Sequence, residues 1–276
     1  MTATAEIPRF DVAVVGAGPA GLAAAILLAR CGLSTALVAP ASRPDDVRTT
    51  ALLGGSVAFF RTLGLWDEIA AAGAELATMR LVDDTGRLFR APEATFRADE
   101  IGLDGFGVNI VNSALTAVLD ARVARSPRLV RIQAAVEAAD LAGEEATLRL
   151  STGTSLTARL VVAADGKKSK LREAAGIETT TWAHPQSALV LNLSHPVPHG
   201  SVSTEFHRPA GPYVLVPLPG NRSSVVLVER PEEAERLKAL DDASLALELE
   251  RLAHSILGRF TVEPGRQVWP LSSMIA

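Results

Sequence analysis

The residues of this chain best placed to do chemistry are glycines. In Asp11-Val-Ala-Val-Val-Gly16-Ala17-Gly18-Pro19-Ala20-Gly21, a β-branched run breaks into a G-x-G-x-x-G turn and then into an Ala/Leu-rich stretch of helical character. Gly16 permits the tight turn, Gly18 has no side chain to hold the backbone off a pyrophosphate, and Gly21 lets the helix pack closely on the strand. Phosphates would then sit on the helix N-terminus, where free N–H groups and the dipole favour negative charge. The spacing alone is a weak signal; the strand before it and the helix after it turn it into a nucleotide site. The bland alternative is a tight turn with nothing in it.

A second strand-turn-helix follows far along the chain. Leu160-Val-Val-Ala-Ala164 is apolar enough to be central in a sheet, and it runs into Asp165-Gly166, a Lys167 to Lys170 cluster and a helical stretch from Leu171 to Gly176. The lysines read as a solvated start to that helix. Asp165-Gly166 taken alone is a turn after a buried strand.

These turns need a scaffold, and 276 residues allow either one large α/β core or a nucleotide domain with a smaller partner. A hydrophobic fraction of 48%, a charged fraction of 21% and a formal charge of -4 give no reason to expect nucleic acid and point to small-molecule partners. The single cysteine, Cys31, excludes an internal disulfide framework and a Cys-based metal site, suits a reducing cytoplasm, and reads as helix-end packing. His195 and His199 are four apart, but Pro196 and Pro198 prevent a helix that would put both on one face, so no metal site is expected. Val12 to Ala29 carries no charge, yet its glycines and the absence of a positive leader favour a buried strand and helix over a membrane span.

The pattern predicts a parallel strand over Ser34 to Ala39, a polar loop from Pro40 to Asp46, and helix from Thr49 to Gly73 with a break at Gly64. Met79 to Asp84 and Arg87 to Ala91 flank Thr85-Gly86 as a hairpin. Asn112 to Arg125 reads as helix, with strands over Leu129 to Gln133, Val136 to Leu141, Ala146 to Ser151 and Ser155 to Ala163. From Gln186 the character is antiparallel β, with strands over Ala188 to Leu193, Val202 to Phe206, Tyr213 to Leu218 and Ser223 to Val228. A charged helical segment from Pro231 to Leu257, broken at Asp241-Asp242, precedes a last strand at Arg266 to Leu271.

The glycine turn, the Arg of Asp45-Asp46-Val-Arg48-Thr49-Thr50, and Ala164-Asp165-Gly166 with Ser169 and Arg172 resemble the single-component flavoprotein hydroxylases. Within that group the chain looks most like the ubiquinone-biosynthesis hydroxylases of polyprenyl phenols. Gln186-Ser-Ala-Leu-Val, Thr204-Glu205-Phe206, Gly211-Pro212, Pro217-Leu218-Pro219 and Arg266-Gln-Val-Trp-Pro270-Leu271 fall in that family's order. The resemblance implies an α/β fold: a Rossmann-like FAD-binding domain (residues 1–75 and 104–182) with an inserted β-sheet-rich substrate domain (76–103 and 183–270), and a return toward the first at 271–276. It implies that Gly16, Ala17, Gly18, Pro19, Ala20 and Gly21 cradle the FAD pyrophosphate and that Arg48 supplies a permanent cation beside flavin and phosphate. Asp165 and Gly166 would serve FAD and NAD(P)H, Asn112 the pyrophosphate, and Val136 the adenine through its backbone.

The implied reaction is hydroxylation of an aromatic ring with NAD(P)H as electron donor and O₂ as co-substrate, the protein supplying orientation, electrostatics and water exclusion. Such a substrate favours transient contact with a membrane surface, although no basic amphipathic helix is evident, and multi-enzyme association stays open. Two departures stand out. The strand over Thr35 to Ala39 ends in Ala39 where relatives carry an acid for the ribose, leaving Ser42, Arg43 or a backbone group to substitute, or Arg43 to accept a 2′-phosphate. The chain also stops at Ala276, where relatives continue into a Gly-Asp type motif, so weak FAD binding and little hydroxylase activity are expected of a polypeptide ending there. A flavin-dependent reductase or halogenase on the same scaffold, or a non-catalytic remnant, remain competing readings.

Overall fold

The computed structural model describes residues 7–41 and 46–276. The chain opens on a βαβ unit of β1 (Arg9–Val15), α1 (Pro19–Arg30) and β2 (Thr35–Ala39), its strands parallel in a register running from Val12 opposite Thr35 to Val15 opposite Val38. Val12 to Val15 and Ala36 to Ala39 are buried, as a parallel strand covered on both faces requires. Cys31 ends α1 but is exposed rather than packed, because Ile26 and Ala29 occupy the inner positions of the last turns.

The expected helix from Thr49 begins instead as a strand, β3 (Thr49–Leu53), followed by α2 (Gly54–Leu63) and α3 (Trp66–Ala72). Two β-branched threonines and a buried Leu52 between exposed Ala51 and Leu53 carry a period of two, which a longer helical window averages away. Next come β4 (Ala74–Leu76), β5 (Thr78–Asp83), β6 (Ala94–Arg97), a 3₁₀ turn over Ala98–Ile101, and β7 (Gly107–Val111). The expected hairpin is displaced: β5 pairs with Ala94–Arg97, and Arg87 to Ala91 lies in the connection. Asp83 accounts for this, since its carboxylate accepts from the Thr85 N–H and hydroxyl and from the Ala91 N–H, folding the connection on itself.

Helix α4 (Asn112–Ala124) buries Leu115, Leu119 and Val123, and leads through β8 (Leu129–Gln133), β9 (Val136–Asp140), β10 (Ala146–Leu150) and β11 (Ser155–Ala163) to the short α5 (Lys170–Ala174). Then follow β12 (Thr180–Ser194), β13 (Val202–His207), β14 (Pro212–Leu218) and β15 (Arg222–Glu229). The chain closes with α6 (Pro231–Ala239), α7 (Asp242–Leu252), β16 (Thr261–Val262) and β17 (Gln267–Ile275). The break between α6 and α7 is a cap: Asp241 accepts from the Ser244 N–H at 2.9 Å.

Two compact units result. The first comprises Met1–Pro44, Leu115–Thr180 and Ile275–Ala276 and holds a six-stranded sheet in the order β8-β2-β1-β11-β10-β9. The apolar run ending at Ala164 is central in it, with β11 parallel to β1 on one side and antiparallel to β10 on the other. The second unit comprises Asp45–Ala114 and Thr181–Met274, so residues 45–75 and 104–114 group here. Its large sheet runs β16-β12-β15-β14-β13-β5-β6 with β17 on β12, and a smaller one runs β3-β7-β4. Along the order from β16 to β6 the pairings are antiparallel except where β5 lies parallel to β13. Its buried face packs Leu189, Leu191, Tyr213 and Leu227 with Leu245 and Leu249 of α7.

His195 and His199 serve the second unit's turns. Buried His195 donates from Nδ1 to the Val197 carbonyl at 2.8 Å and accepts at Nε2 from the Ser223 hydroxyl at 3.0 Å. His199 Nε2 lies 3.0 Å from the Leu218 carbonyl, and its Nδ1 accepts from the Ser201 N–H. Burial pushes the His195 imidazolium below the ordinary value of 6.5, so the folded chain holds it neutral while the unfolded chain takes up a proton. The stability it confers is complete above pH 6.5 and declines as pH falls below that value. Thermal unfolding across pH 7.5 to 5.5 is expected to show a smaller decline in His195→Gln than in the parent; equal declines would remove His195 as the cause.

Candidate functional site

In the first unit, β1 and β11 end side by side and both turns emerge from the same sheet edge. The Gly16 N–H donates to the Val38 carbonyl at 2.9 Å and the Ala164 N–H to the Val15 carbonyl at 2.8 Å. Gly16 has φ +110°, and a Cβ there would lie 2.1 Å from the Ala164 carbonyl oxygen. A Cβ on Gly21 would lie 1.9 Å from the Gly16 carbonyl oxygen, so the close approach at Gly21 is to the turn itself. Gly18 is different: a Cβ there would meet nothing within 4 Å.

That contrast fits a phosphate cradle. Two glycines are demanded by the protein's own backbone, while the third faces empty space at the N-cap of α1. No side chain caps this helix, no acidic residue stands in its first turn, and Pro19 at the first position removes a donor that had no intrahelical acceptor. The next N–H groups and the positive end of the dipole are left for an anion.

Asp165 follows Ala164 directly, and Gly166 has φ +86°. The Oδ2 atom of Asp165 accepts from the Leu171 N–H at 3.3 Å, whereas Oδ1 is buried without a partner. An unpartnered carboxylate oxygen is costly and suits a site completed by a donor from outside. Asp165 and Gly166 line a cavity of about 550 Å³ with Ser169, Leu171 and Arg172. Ser169 accepts from the Arg172 N–H at 3.0 Å and starts α5. Val136 is a buried core side chain at the start of β9, opposite Leu150 where the ladder shifts register. Ala39 ends β2 in the buried sheet, with its carbonyl accepting from the Ala134 N–H, and offers no side chain to a ribose. Ser42 and Arg43 lie outside the described residues.

Arg48 and Asn112 come together in the second unit, around a residue the sequence did not single out. Asp46 grips Arg48 bidentately, Nε to Oδ1 at 2.7 Å and Nη2 to Oδ2 at 2.8 Å, and accepts from Asn112 Nδ2 at 3.2 Å. Thr50 donates to Asn112 Oδ1 at 2.6 Å, and the Asn112 N–H donates to the Arg48 carbonyl at 2.8 Å. The Arg48 guanidinium lies 4.8 Å from the centre of the Trp269 ring. The Arg48 bond, and then that from Asn112, hold the Asp46 carboxyl below its ordinary value. Arg48 is therefore a cation whose charge is largely balanced by Asp46, whose two-point grip also sets the guanidinium plane, with the Trp269 ring beside it. The signal available was Asp46-Val47-Arg48 itself, an acid two residues before the base.

A profile described as "FAD binding domain" matches residues 9–276. The chain belongs to that family. Among curated members, 257 residues are 34% identical to "Ubiquinone hydroxylase UbiL" of Rhodospirillum rubrum, covering 90% of this chain and 58% of that protein. The chain is 28% identical over 259 residues to "3-demethoxyubiquinol 3-hydroxylase" of Escherichia coli, covering 91% and 65%. It thus spans less than two thirds of these relatives' length. The fold is shared with p-nitrophenol 4-monooxygenase PnpA of Pseudomonas putida, at a TM-score of 0.78 and 19% identity over 98% of this chain and 70% of that one. For a member of the FAD binding domain family, the cradle at Gly16, Gly18 and Gly21 and the orphaned Asp165 oxygen have the chemistry that FAD requires: N–H donors for a pyrophosphate and an acceptor for a hydroxyl.

Proposed function

We propose that the protein to which this chain belongs is an FAD-dependent monooxygenase that hydroxylates an aromatic ring, a polyprenyl phenol of ubiquinone biosynthesis, with NAD(P)H and O₂. The similarity to a ubiquinone hydroxylase over 90% of the chain carries this reading. FAD, when bound, supplies the redox and oxygen chemistry.

The chain's own residues do the rest. Gly16, Ala17, Gly18, Pro19, Ala20 and Gly21 form the turn that holds the pyrophosphate, the backbone N–H groups left open at the start of α1 donating to it, while that of Gly16 is spent on Val38 and Pro19 has none. Asp165 accepts from a hydroxyl of the dinucleotide through its unpartnered oxygen, and Gly166 lets the backbone turn beside it. Arg48, oriented by Asp46 and Trp269, presents a fixed guanidinium to flavin or phosphate, and Asn112 keeps that arrangement in register. Val136 anchors the strand whose backbone reaches the adenine.

Product analysis tests the reaction class. FAD-loaded protein, supplied with a prenylated phenol, NADH or NADPH and heavy-isotope oxygen gas, is expected to give a phenol carrying one labelled oxygen. A product that needs halide, or a bond saturated without O₂ consumption, contradicts hydroxylation and places the protein in a different reaction class.

A further inference from the structure

The connection from β5 to β6, residues 84–93, carries the two most exposed large apolar side chains described: Leu88 at 91% and Phe89 at 89% relative exposure. They are adjacent and flanked by Arg87 and Arg90, giving the string Arg-Leu-Phe-Arg at the tip. Scattered single hydrophobics on a surface need no explanation, but two bulky ones held out together by a built loop do.

The loop is built from its base. Asp83 accepts from Thr85 and from the Ala91 N–H, and these bonds hold its carboxyl down to about 2, so it stays ionised throughout the physiological range. The neighbouring acids are occupied: Asp84 lies 3.1 Å from His254 Nε2, and Glu93 3.4 Å from Arg80 Nε. Among the described residues neither Arg87 nor Arg90 closes an ion pair, Arg87 being only weakly attracted by the Asp83 carboxylate, and both are exposed, leaving a basic rim around an apolar tip.

We infer that this loop is a membrane-docking tip, Leu88 and Phe89 entering the acyl boundary of a bilayer while Arg87 and Arg90 meet anionic lipid headgroups. Apolar insertion and electrostatic attraction are the two signals that together hold a peripheral protein at a surface, and here they occupy four consecutive residues without any amphipathic helix. The charge pattern selects a lipid surface as occupant: an apolar protein partner leaves both guanidiniums unmatched, whereas anionic headgroups lie at the depth the flanking residues reach. The inference deepens the proposed function and rests on it for its purpose, because a polyprenyl phenol is dissolved in such a bilayer.

The test is co-sedimentation of the full chain with vesicles of phosphatidylcholine containing roughly a third phosphatidylglycerol. Binding is expected, weakening with salt. Leu88→Ser with Phe89→Ser is expected to lower partitioning at least about tenfold, and Arg87→Gln with Arg90→Gln about tenfold, the latter abolishing most of the salt dependence. The emission of Phe89→Trp should shift to shorter wavelength and be quenched by brominated acyl chains. No binding by the parent, unaltered binding by the serine pair, or a tip that instead dimerises the chain in the absence of lipid overturns the inference. FAD titration of the same samples keeps this separate from the cofactor reading, since vesicle binding needs neither flavin nor turnover.

Discussion

Gly21→Ala is expected to destabilise the chain by about 2–4 kcal/mol, while Gly18→Ala, three residues earlier, costs less than about 1 kcal/mol. A methyl on Gly21 falls 1.9 Å from a backbone oxygen, so α1 must move off the turn, and the buried Leu22, Ala25 and Ile26 must move with it. No rotamer can relieve a clash between a Cβ and a carbonyl. Gly16→Ala adds strain at φ +110° to a clash with the Ala164 carbonyl and should be at least as damaging. At Gly18, φ is -73° and ψ 172°, an extended conformation alanine adopts freely, and the added methyl enters open space. Chemical denaturation of the three variants measures this ordering; a Gly18→Ala change as damaging as the other two would mean that the space at Gly18 is already filled by protein.

Asp165→Ala is expected to leave the flavin-free chain within about 1 kcal/mol of the parent, or slightly more stable, while lowering FAD affinity at least about tenfold. The residue contributes one long hydrogen bond, to the Leu171 N–H, and keeps its other oxygen buried without a donor. Removing an unsatisfied charged oxygen offsets the lost bond, so the folded state has little to lose. The ligand does lose, because a charged acceptor for its hydroxyl disappears. Denaturation curves beside FAD titrations decide the matter. A large destabilisation with unchanged FAD affinity would make Asp165 a structural turn residue, the bland reading of Asp165-Gly166.

The parts of the site that were legible are those written locally. β1, the glycine turn and α1 follow from one unbroken stretch, Arg9 to Arg30, because a β-branched strand, a φ-permissive turn and a helix each leave their own periodicity. β11 and Asp165 were legible for the same reason. What was not legible depends on partners far away in sequence. Thr49 to Leu53 is a strand because β7, more than fifty residues on, pairs with it from Val111 to Gly107. The hairpin partner of β5 was misplaced because Asp83 folds the connection over Ala91 before pairing begins. Asp46 was in view but its part was not, since Asn112 and Trp269 reach it and Arg48 from remote elements. The 46–48 segment is itself held from afar: Asn192 donates to the Val47 carbonyl, and a Cβ on Gly265 would lie 2.6 Å from the Val47 side chain.

The open space at Gly18 is what separates a phosphate cradle from an ordinary tight turn, so the most direct measurement is FAD titration of the 276-residue parent and of Gly18→Ala, followed by flavin fluorescence. A phosphate cradle at Gly18 requires saturable one-to-one binding by the parent and affinity at least about tenfold lower in Gly18→Ala, with superimposable circular dichroism spectra. Equal affinity in the two proteins, or no saturable binding by the parent, contradicts it.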